Sequence, residues 1–515
     1  MPLRHLKRNR AAVPQPGAPI GPAADETRAA YGEVPYPGMA FPQSHPDRLA
    51  ANATLMGMKP AAPDRCRLLE LGCGDGGNLV PMAAGLPASE FVGVDLEPAA
   101  VASATERAAA LGVANVTFSE ADLATIDPGQ LGRFDYVVAH GVYSWVPQGV
   151  ADRLLALCRA VLEKQGVAYV SYNALPGGHL RAMTWDVMRF HGRALARPRE
   201  RLQAAREILA VLAEGIPGDD PYRRFSAAYA KRLSERSDAV LYHDDLARGN
   251  RPVLFTDFVT EAAGHRLQYL AEADWFEMTA GAVPARTAEL LARCGDDRIA
   301  REQYLDFLKC RAYRQSLLCR AEVRLPAGPV GGAARRLLAA APVRPTSPRA
   351  QPAGRSKVEF RTTAGATLTT DHPVLKAALL ELGMVWPQRL GFETVLKRAG
   401  TRLGTEIDHA GESALADLWL RGYDANVIRL HAYAPATVAA PGERPRSSDL
   451  ARREATLGEM VTTLDHETVA LDERTRRLVV LLDGTRDRAA LAGEVGSRGL
   501  DENLGRLAEL ALLEG

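Results

Sequence analysis

Residues 67–95, RLLELGCGDGGNLVPMAAGLPASEFVGVD, decide how the rest of the chain is read. Leu68, Leu69 and Leu71 make a short apolar run suited to a buried strand, and Gly72, Gly74, Gly76 and Gly77 follow at once. Leu79 to Ala84 then reads as a helix, and Phe91 to Val94 as a second strand closing on Asp95. Glycines at a strand exit let the backbone turn sharply and leave no Cβ in the way of a ligand lying across it. The pattern predicts an α/β chain with a Rossmann-like, doubly wound sheet. So many glycines weaken a fold that has no ligand to admit.

Units of this kind bind nucleotides generally, so the finer spelling has to choose the ligand. A pyrophosphate coenzyme such as NAD calls for G-x-G-x-x-G, with its phosphates on the helix N-terminus. Here residues 70–78 read E-L-G-C-G-D-G-G-N, with Glu70 and Asp75 beside the glycines. Carboxylates there would repel a pyrophosphate and suit a ligand with an ammonium and a sulfonium. Asp95, followed by Leu96, is placed to accept from both hydroxyls of a ribose. The ligand expected is S-adenosylmethionine, although some Rossmann oxidoreductases end their first strand similarly and keep NAD as the competitor. The stretch resembles motif I and the acidic position after the second strand of class I methyltransferases. That resemblance implies a donor site made by Glu70, Gly72, Cys73, Gly74, Asn78, Asp95 and Leu96, with Cys73 a small residue that fits the turn.

A chain of 515 residues is too long for one ordinary core and suggests about three domains. With 47% hydrophobic residues and a net charge of +1, it has no general attraction for nucleic acid or an anionic membrane. No window approaches the roughly eighteen apolar residues of a membrane span, so insertion is not expected. Residues 1–30 are basic and then rich in Pro, Gly and Ala, without the apolar segment of a signal peptide, and read as a disordered tail. The six cysteines form no C-x-x-C pair, which fits a reducing cytoplasm.

Residues 31–58, YGEVPYPGMAFPQSHPDRLAANATLMGM, join prolines and tyrosines to an amphipathic helix from Pro46 to Met58. Such an arm is stiff, and Tyr31, Tyr36 and His45 either cover the donor pocket or merely pin the arm. Beyond Asp95, a helix ended by Gly112 leads to the strand NVTFSEADL, where Asp122 and Leu123 resemble the methyltransferase position that meets the adenine amino group. The fourth strand, FDYVVAH (134–140), runs into GVYSWVP. Ligands of open α/β sheets sit at the carboxyl ends of the strands, which makes His140, Tyr143 and Trp145 the acceptor-facing candidates. A helix over 149–163 stops at Gly166, and the fifth strand, VAYVSYNALPGGH (167–179), adds Tyr172, Asn173 and His179. Aromatic rings at two strand ends would line a channel for an alkylammonium by cation–π contact; the alternative for Tyr143 and Trp145 is plain packing. The N-P-P-Y-like string of nucleic-acid amino-methyltransferases is absent from G-V-Y-S, so no nucleic-acid partner is expected.

From about 180 to 241 the chain is helical and Arg-rich, an inserted layer, and Leu267–Ala271 and QSLLCRAEVRL (315–325) read as the last two strands of the sheet. His243, Asp244 and Asp245 are adjacent and cannot all reach one ion, so no metal site is expected. Residues 326–357, rich in Pro, Gly, Ala and Arg, read as a flexible linker. From 358 to 515, short strands and helices suggest a winged-helix-like α+β domain with few clustered basic residues, favouring an interaction or dimer role over DNA. The expected organisation is a tail (1–30), a donor-binding domain (31–196), a helical regulatory region that includes the last strands (197–325), the linker (326–357) and the winged-helix-like domain (358–515).

Several strings coincide: YGEVPY and SHPDRLA ahead of the glycine turn, then LELGCGDGGN, HGVYSWVP, YVSYNALPGGH, YHDDL, DFVTEAAGHRLQYLAEAD and EQYLDFLKCRAYRQSLLCR. Together they resemble bacterial methyltransferases carrying a methyltransferase regulatory domain, a family that includes protein-lysine methyltransferases acting on outer-membrane surface proteins. The resemblance is strong over 31–325 and looser beyond. It implies a class I fold, S-adenosylmethionine, a protein substrate and often a homodimer. One departure stands out: family members commonly carry an aromatic after YN-x-x-PG, where this chain has Gly178, and the exchange is expected to widen the acceptor channel. If the acceptor is lysine, with a free pKa of about 10.4, the site must favour the neutral amine. His140, Tyr143, Tyr172 and His179 are then the groups to shed or orient its proton. Two readings compete: a small-molecule acceptor, and a donor-binding interaction protein without catalysis.

Overall fold

The structure, a computed structural model, describes Val34 and residues 38–215, 217–247, 249–348 and 350–515. The chain divides into two compact units, Met1–Tyr36 with Met183–Arg248, and Pro37–Ala182 with Gly249–Gly515.

In the second unit, helix α1 (Pro46–Leu55) precedes the alternation that the apolar runs predict: β1 (Arg67–Leu71), α2 (Leu79–Gly85), β2 (Glu90–Asp95), α3 (Pro98–Leu111), β3 (Val116–Glu120), β4 (Phe134–Ala139), α4 (Gln148–Val161) and β5 (Leu162–Asn173). Strands β1 to β5 pair in parallel; β1, β4 and the second half of β5 are almost wholly buried, as near-continuous apolar strands require, while the edge strand β3 buries only Val116. Helix α5 (Gly177–His191) leads into the first unit, whose helices α6 (Pro198–Glu214) and α7 (Pro221–Ser234) form the expected helical layer. There Asp245 accepts from Trp185 Nε1 at 2.9 Å and Arg236 at 2.7 Å, Asp244 lies 3.8 Å from the same Arg236, and His243 Nε2 turns away to the Val34 carbonyl at 2.6 Å.

The second unit resumes with α8 (Phe255–Gly264), β6 (Leu267–Glu272), α9 (Ala285–Ala292), α10 (Arg298–Lys309) and β7 (Tyr313–Arg320). The seven strands lie in the order β3-β2-β1-β4-β5-β7-β6, with β7 antiparallel to both neighbours. Strand order reverses between β1 and β4, the switch point where open α/β sheets take their ligands.

Two expectations need correction. The stretch read as a flexible linker holds strands β8 (Leu338–Ala340) and β9 (Val343–Pro345), and buries Ala333, Ala334, Leu337 and Val343. Its Pro and Arg residues gave it a linker's composition; its Ala, Leu and Val residues face a core. The winged-helix-like region is also not one module. Strands β10 (Val358–Thr362) and β11 (Thr367–Thr370), helices α11 (Pro373–Val385), α12 (Phe392–Leu403) and α13 (His409–Asp424), with β12 (Leu390–Gly391) and β13 (Arg429–His431), share a core with α1 and one face of the large sheet. A separate core, from Ala451 to Leu513, belongs to β14 (Arg446–Ser447), α14 (Asp449–Leu457), the hairpin β15 (Met460–Thr462) and β16 (Thr468–Ala470), α15 (Glu473–Leu481), α16 (Arg488–Val495), α17 (Leu500–Glu509) and β17 (Leu513–Glu514).

Candidate active site

The exit of β1 is pinned across to β2: Gly72 N and Cys73 N both donate to the Val94 carbonyl, at 2.8 and 3.1 Å. Gly72, Gly74 and Gly76 adopt φ of 76°, 53° and 73°, a region in which a side chain is strained. At Gly74 an added Cβ would meet nothing within 4 Å, and the same is true of Gly141 beyond β4. The two strand ends at the switch point thus frame open space.

Carboxylates border that space, each held differently. Asp95 Oδ2 accepts from Gly74 N at 2.8 Å and Oδ1 from Glu97 N at 3.0 Å, so backbone donors set the group while lone pairs on both oxygens remain. Burial pushes its pKa up. Glu70 is 2% exposed; Oε1 accepts from Asn78 Nδ2 at 2.7 Å, and Oε2 is buried without a hydrogen-bond partner among the described residues. Burial, with Asp95 and Asp75 nearby, pushes Glu70 up to about 8, against the opposing hydrogen bond from Asn78. A buried carboxylate oxygen lacking a donor costs energy that an arriving ammonium would offset. Asp75 is committed elsewhere: Oδ1 accepts from Gly77 N and Oδ2 pairs with Arg107 at 2.6 Å, so its charge is neutralised inside the fold. Cys73 is 6% exposed, and burial raises its thiol pKa, as suits a small residue filling the turn.

These features fit a donor with a ribose diol and an amino-acid ammonium: vacant room over Gly74, a bidentate acceptor at Asp95 and an unpartnered oxygen on Glu70. Leu96 lies half-buried beside Asp95. Asp122, two residues beyond β3, accepts from Ala124 N at 2.8 Å, and Leu123 packs against the core. Tyr31 and Tyr36 lie outside the described residues. The arm that follows does lie on the loop: Gly38 packs so tightly on Gly77 and Asp75 that a Cβ on either glycine would overlap the other strand of chain.

At the end of β4 the half-buried His140 stacks on Phe41, ring centroids 3.8 Å apart, and its Nδ1 meets Tyr169 Oη at 2.9 Å. Burial pushes its pKa down to about 4. Gly141 N donates to Ser171 Oγ and Asn173 N to Ser144 Oγ, each at 2.8 Å, which ties the loop after β4 to β5.

Tyr143 and Tyr172 do not line a channel. Both are sealed in the core around Phe258, Tyr143 bound through its hydroxyl to Glu261 and Tyr172 to Ser316 at 3.0 Å. Each ring is more stably buried among apolar neighbours than left at a strand end. Asn173 has its carboxamide engaged by Asn250 (2.8 Å) and Arg181 (3.2 Å), His179 is exposed, and Trp145 is half-buried after β4. Gly178 does not widen a channel either, since a Cβ there would press on Pro252 at 2.7 Å. The sequence reading missed Phe41, Ser44, Ser144, Ser171 and His466, none of which carries a local signal of its partner.

Three regions match known families: residues 68–166 the one described as "Methyltransferase domain", 237–320 the "Predicted methyltransferase regulatory domain", and 443–505 the "PKMT, C-terminal winged helix domain". The last falls on the separate C-terminal core. The chain is 30% identical over 473 residues to an uncharacterized protein of Rickettsia prowazekii (strain Madrid E), RP789, covering 90% of this chain and 84% of that one. Among solved structures, PKMT2 from Rickettsia typhi in complex with AdoHcy superposes with a TM-score of 0.85 at 25% identity, covering 93% of this chain and 100% of the other.

Proposed function

Because the chain belongs to the methyltransferase family that combines a regulatory domain with a PKMT winged-helix domain, we propose that it moves methyl groups from S-adenosylmethionine to lysine side chains of a protein. Glu70, Gly74 and Asp95 would hold the donor, which supplies a methyl already activated on a sulfonium. The observation that carries this reading is the unpartnered oxygen of Glu70 beside the open turn at the sheet's switch point.

Displacement at such a methyl needs alignment more than acid–base power, and rigid strand ends supply alignment. His140 is neutral at physiological pH and too weak a base to strip a lysine ammonium. Stacked on Phe41 and tethered to Tyr169, it instead presents a fixed, desolvated imidazole that disfavours a charged amine. The exposed Gly141, with free space at its Cα, leaves the mouth open to a side chain carried on a large partner. This supports a protein over a small-molecule acceptor. The six free cysteines support a reducing compartment such as the cytoplasm.

The test is incubation with methyl-labelled donor and fractionated cell extract, followed by mass-spectrometric location of the label. Label on lysine is expected. Label only on a metabolite would move the reading to a small-molecule enzyme, and donor binding without any transfer would leave a non-catalytic binder.

A further inference from the structure

We propose that the turn between β15 and β16 of the C-terminal winged-helix domain is part of the donor site, with His466 a positioning residue that orients Asn78 and, through it, Glu70. The proposal rests on the reading that S-adenosylmethionine is held at the β1 exit.

The geometry runs through one amide. Asn78 is 4% exposed, and its Oδ1 accepts from Phe41 N at 2.9 Å and from His466 Nε2 at 3.0 Å, while the single hydroxyl proton of Ser44 goes to the Phe41 carbonyl at 2.9 Å. With donors crowded round the oxygen, the amide nitrogen is left to face Glu70 Oε1, at 2.7 Å, and Ser44 Oγ, at 3.0 Å. A flipped amide would set two oxygens against each other at a buried carboxylate. His466 is 388 positions further along the chain than Asn78, yet it joins Phe41 N as one of the two donors to that oxygen.

The turn is built to hold that ring. His466 takes φ of 59°, a conformation strained for a non-glycine residue that persists only where its surroundings insist on it. Thr463 closes the turn, its carbonyl accepting from His466 N at 2.9 Å and its N donating to Glu467 O at 2.8 Å. Asp465 is clamped by Arg389 at 2.7 Å. Thr468 Oγ1 accepts from Ala40 N at 3.2 Å, so the same hairpin holds the arm that lies over the glycine turn. Burial keeps the imidazole neutral, and because Phe41 N and Glu70 fix the Asn78 amide with its oxygen towards the ring, the tautomer assigned to His466 carries its proton on Nε2.

The decisive comparison uses the full-length chain with His466→Phe, which fills the space without a donor, and His466→Gln, whose amide can still donate. Binding of S-adenosylhomocysteine is measured by titration calorimetry, donor KM and kcat separately, and amide hydrogen exchange over residues 70–80. His466→Phe is expected to weaken binding and raise donor KM by tenfold or more, change kcat less than threefold, and lose protection in the glycine turn. His466→Gln should recover affinity to within threefold. Unchanged affinity in a folded His466→Phe protein would overturn the proposal, as would equal losses in both variants accompanied by equal falls in melting temperature, which mark a packing role. No binding by the wild-type chain would remove the donor-site reading itself, a result distinct from wild-type binding that the variants fail to alter.

Discussion

Glu70 is where stability and binding pull apart. Its folded pKa, pushed up by burial to about 8, stands above the ordinary carboxyl value of 4.5, so the ionised form is disfavoured in the fold. The sign follows: the ligand-free protein loses stability as pH rises from about 4.5 to about 8, and the loss levels off beyond. Glu70→Gln keeps an oxygen for Asn78 and removes the charge. It is expected to raise the stability of ligand-free protein at pH 8 by about 2–4 kcal/mol, while weakening S-adenosylhomocysteine at least tenfold. Denaturant melts and calorimetry at pH 6 and 8 check both halves; a variant no more stable than wild type at pH 8 would refute the buried-charge account. Asp95 makes the complementary case, since its carboxylate is oriented by Gly74 N and Glu97 N before any ligand arrives. Asp95→Ala should cost donor binding about 2 kcal/mol, as for hydrogen bonds to a charged group, and unchanged affinity would exclude a ribose role.

The glycine turn acts as a unit with the arm beneath the C-terminal hairpin. Gly77 and Gly38 touch backbone to backbone, so Gly77→Ala must displace the arm or the turn. A loss of about 1–3 kcal/mol is expected, typical of forced overpacking, with donor affinity falling in parallel; hydrogen exchange would find the loosening at residues 38–45. What the sequence revealed of this region was the part governed by local rules. Apolar runs and their spacing placed β1, α2, β2 and Asp95, because those features depend on neighbours a few residues apart. Helix α4 ends at Val161 rather than at Gly166, because β5 begins at Leu162 and takes the glycine into the strand, where a Cβ would press on the Asp135 carbonyl at 2.8 Å. Tyr143 and Tyr172 sit near the ends of adjacent strands as a channel lining would, but that both turn into the core is decided by Phe258, far along the chain. His466 was beyond reach for the same reason: nothing within its own hairpin says that Asn78 is its partner.

In the larger unit the regions after residue 330 are joined to the donor-binding sheet through buried polar contacts as well as apolar ones. Asp47, 5% exposed on α1, accepts from Arg389 at 2.9 Å, His431 Nδ1 at 2.7 Å and the backbone N–H groups of Ala432 and Tyr433. Although burial alone would raise it, Arg389 and His431 hold the Asp47 carboxyl well below the usual range. The surrounding histidines shift the other way. Burial pushes His45 down to about 4, and burial with Arg389 does the same to His431. Both therefore stay neutral in the fold while the unfolded chain takes up protons near pH 6.5. The contribution of this cluster is thus complete above about pH 6.5, declines as pH falls to about 4, and falls further below the ordinary Asp value as Asp47 protonates. Each histidine accounts for up to about 3 kcal/mol across that window. His45 also caps α1, accepting from Asp47 N at 3.2 Å, a task asparagine performs without titrating. His45→Asn should accordingly leave the melting behaviour at pH 7 within about 1 kcal/mol of wild type. It should also reduce proton uptake on unfolding between pH 6 and 5 by about one, read from the slope of unfolding free energy against pH. An unaltered slope would mean that His45 is already charged in the folded protein, and that the contact between α1 and the C-terminal regions is held by ion pairing alone.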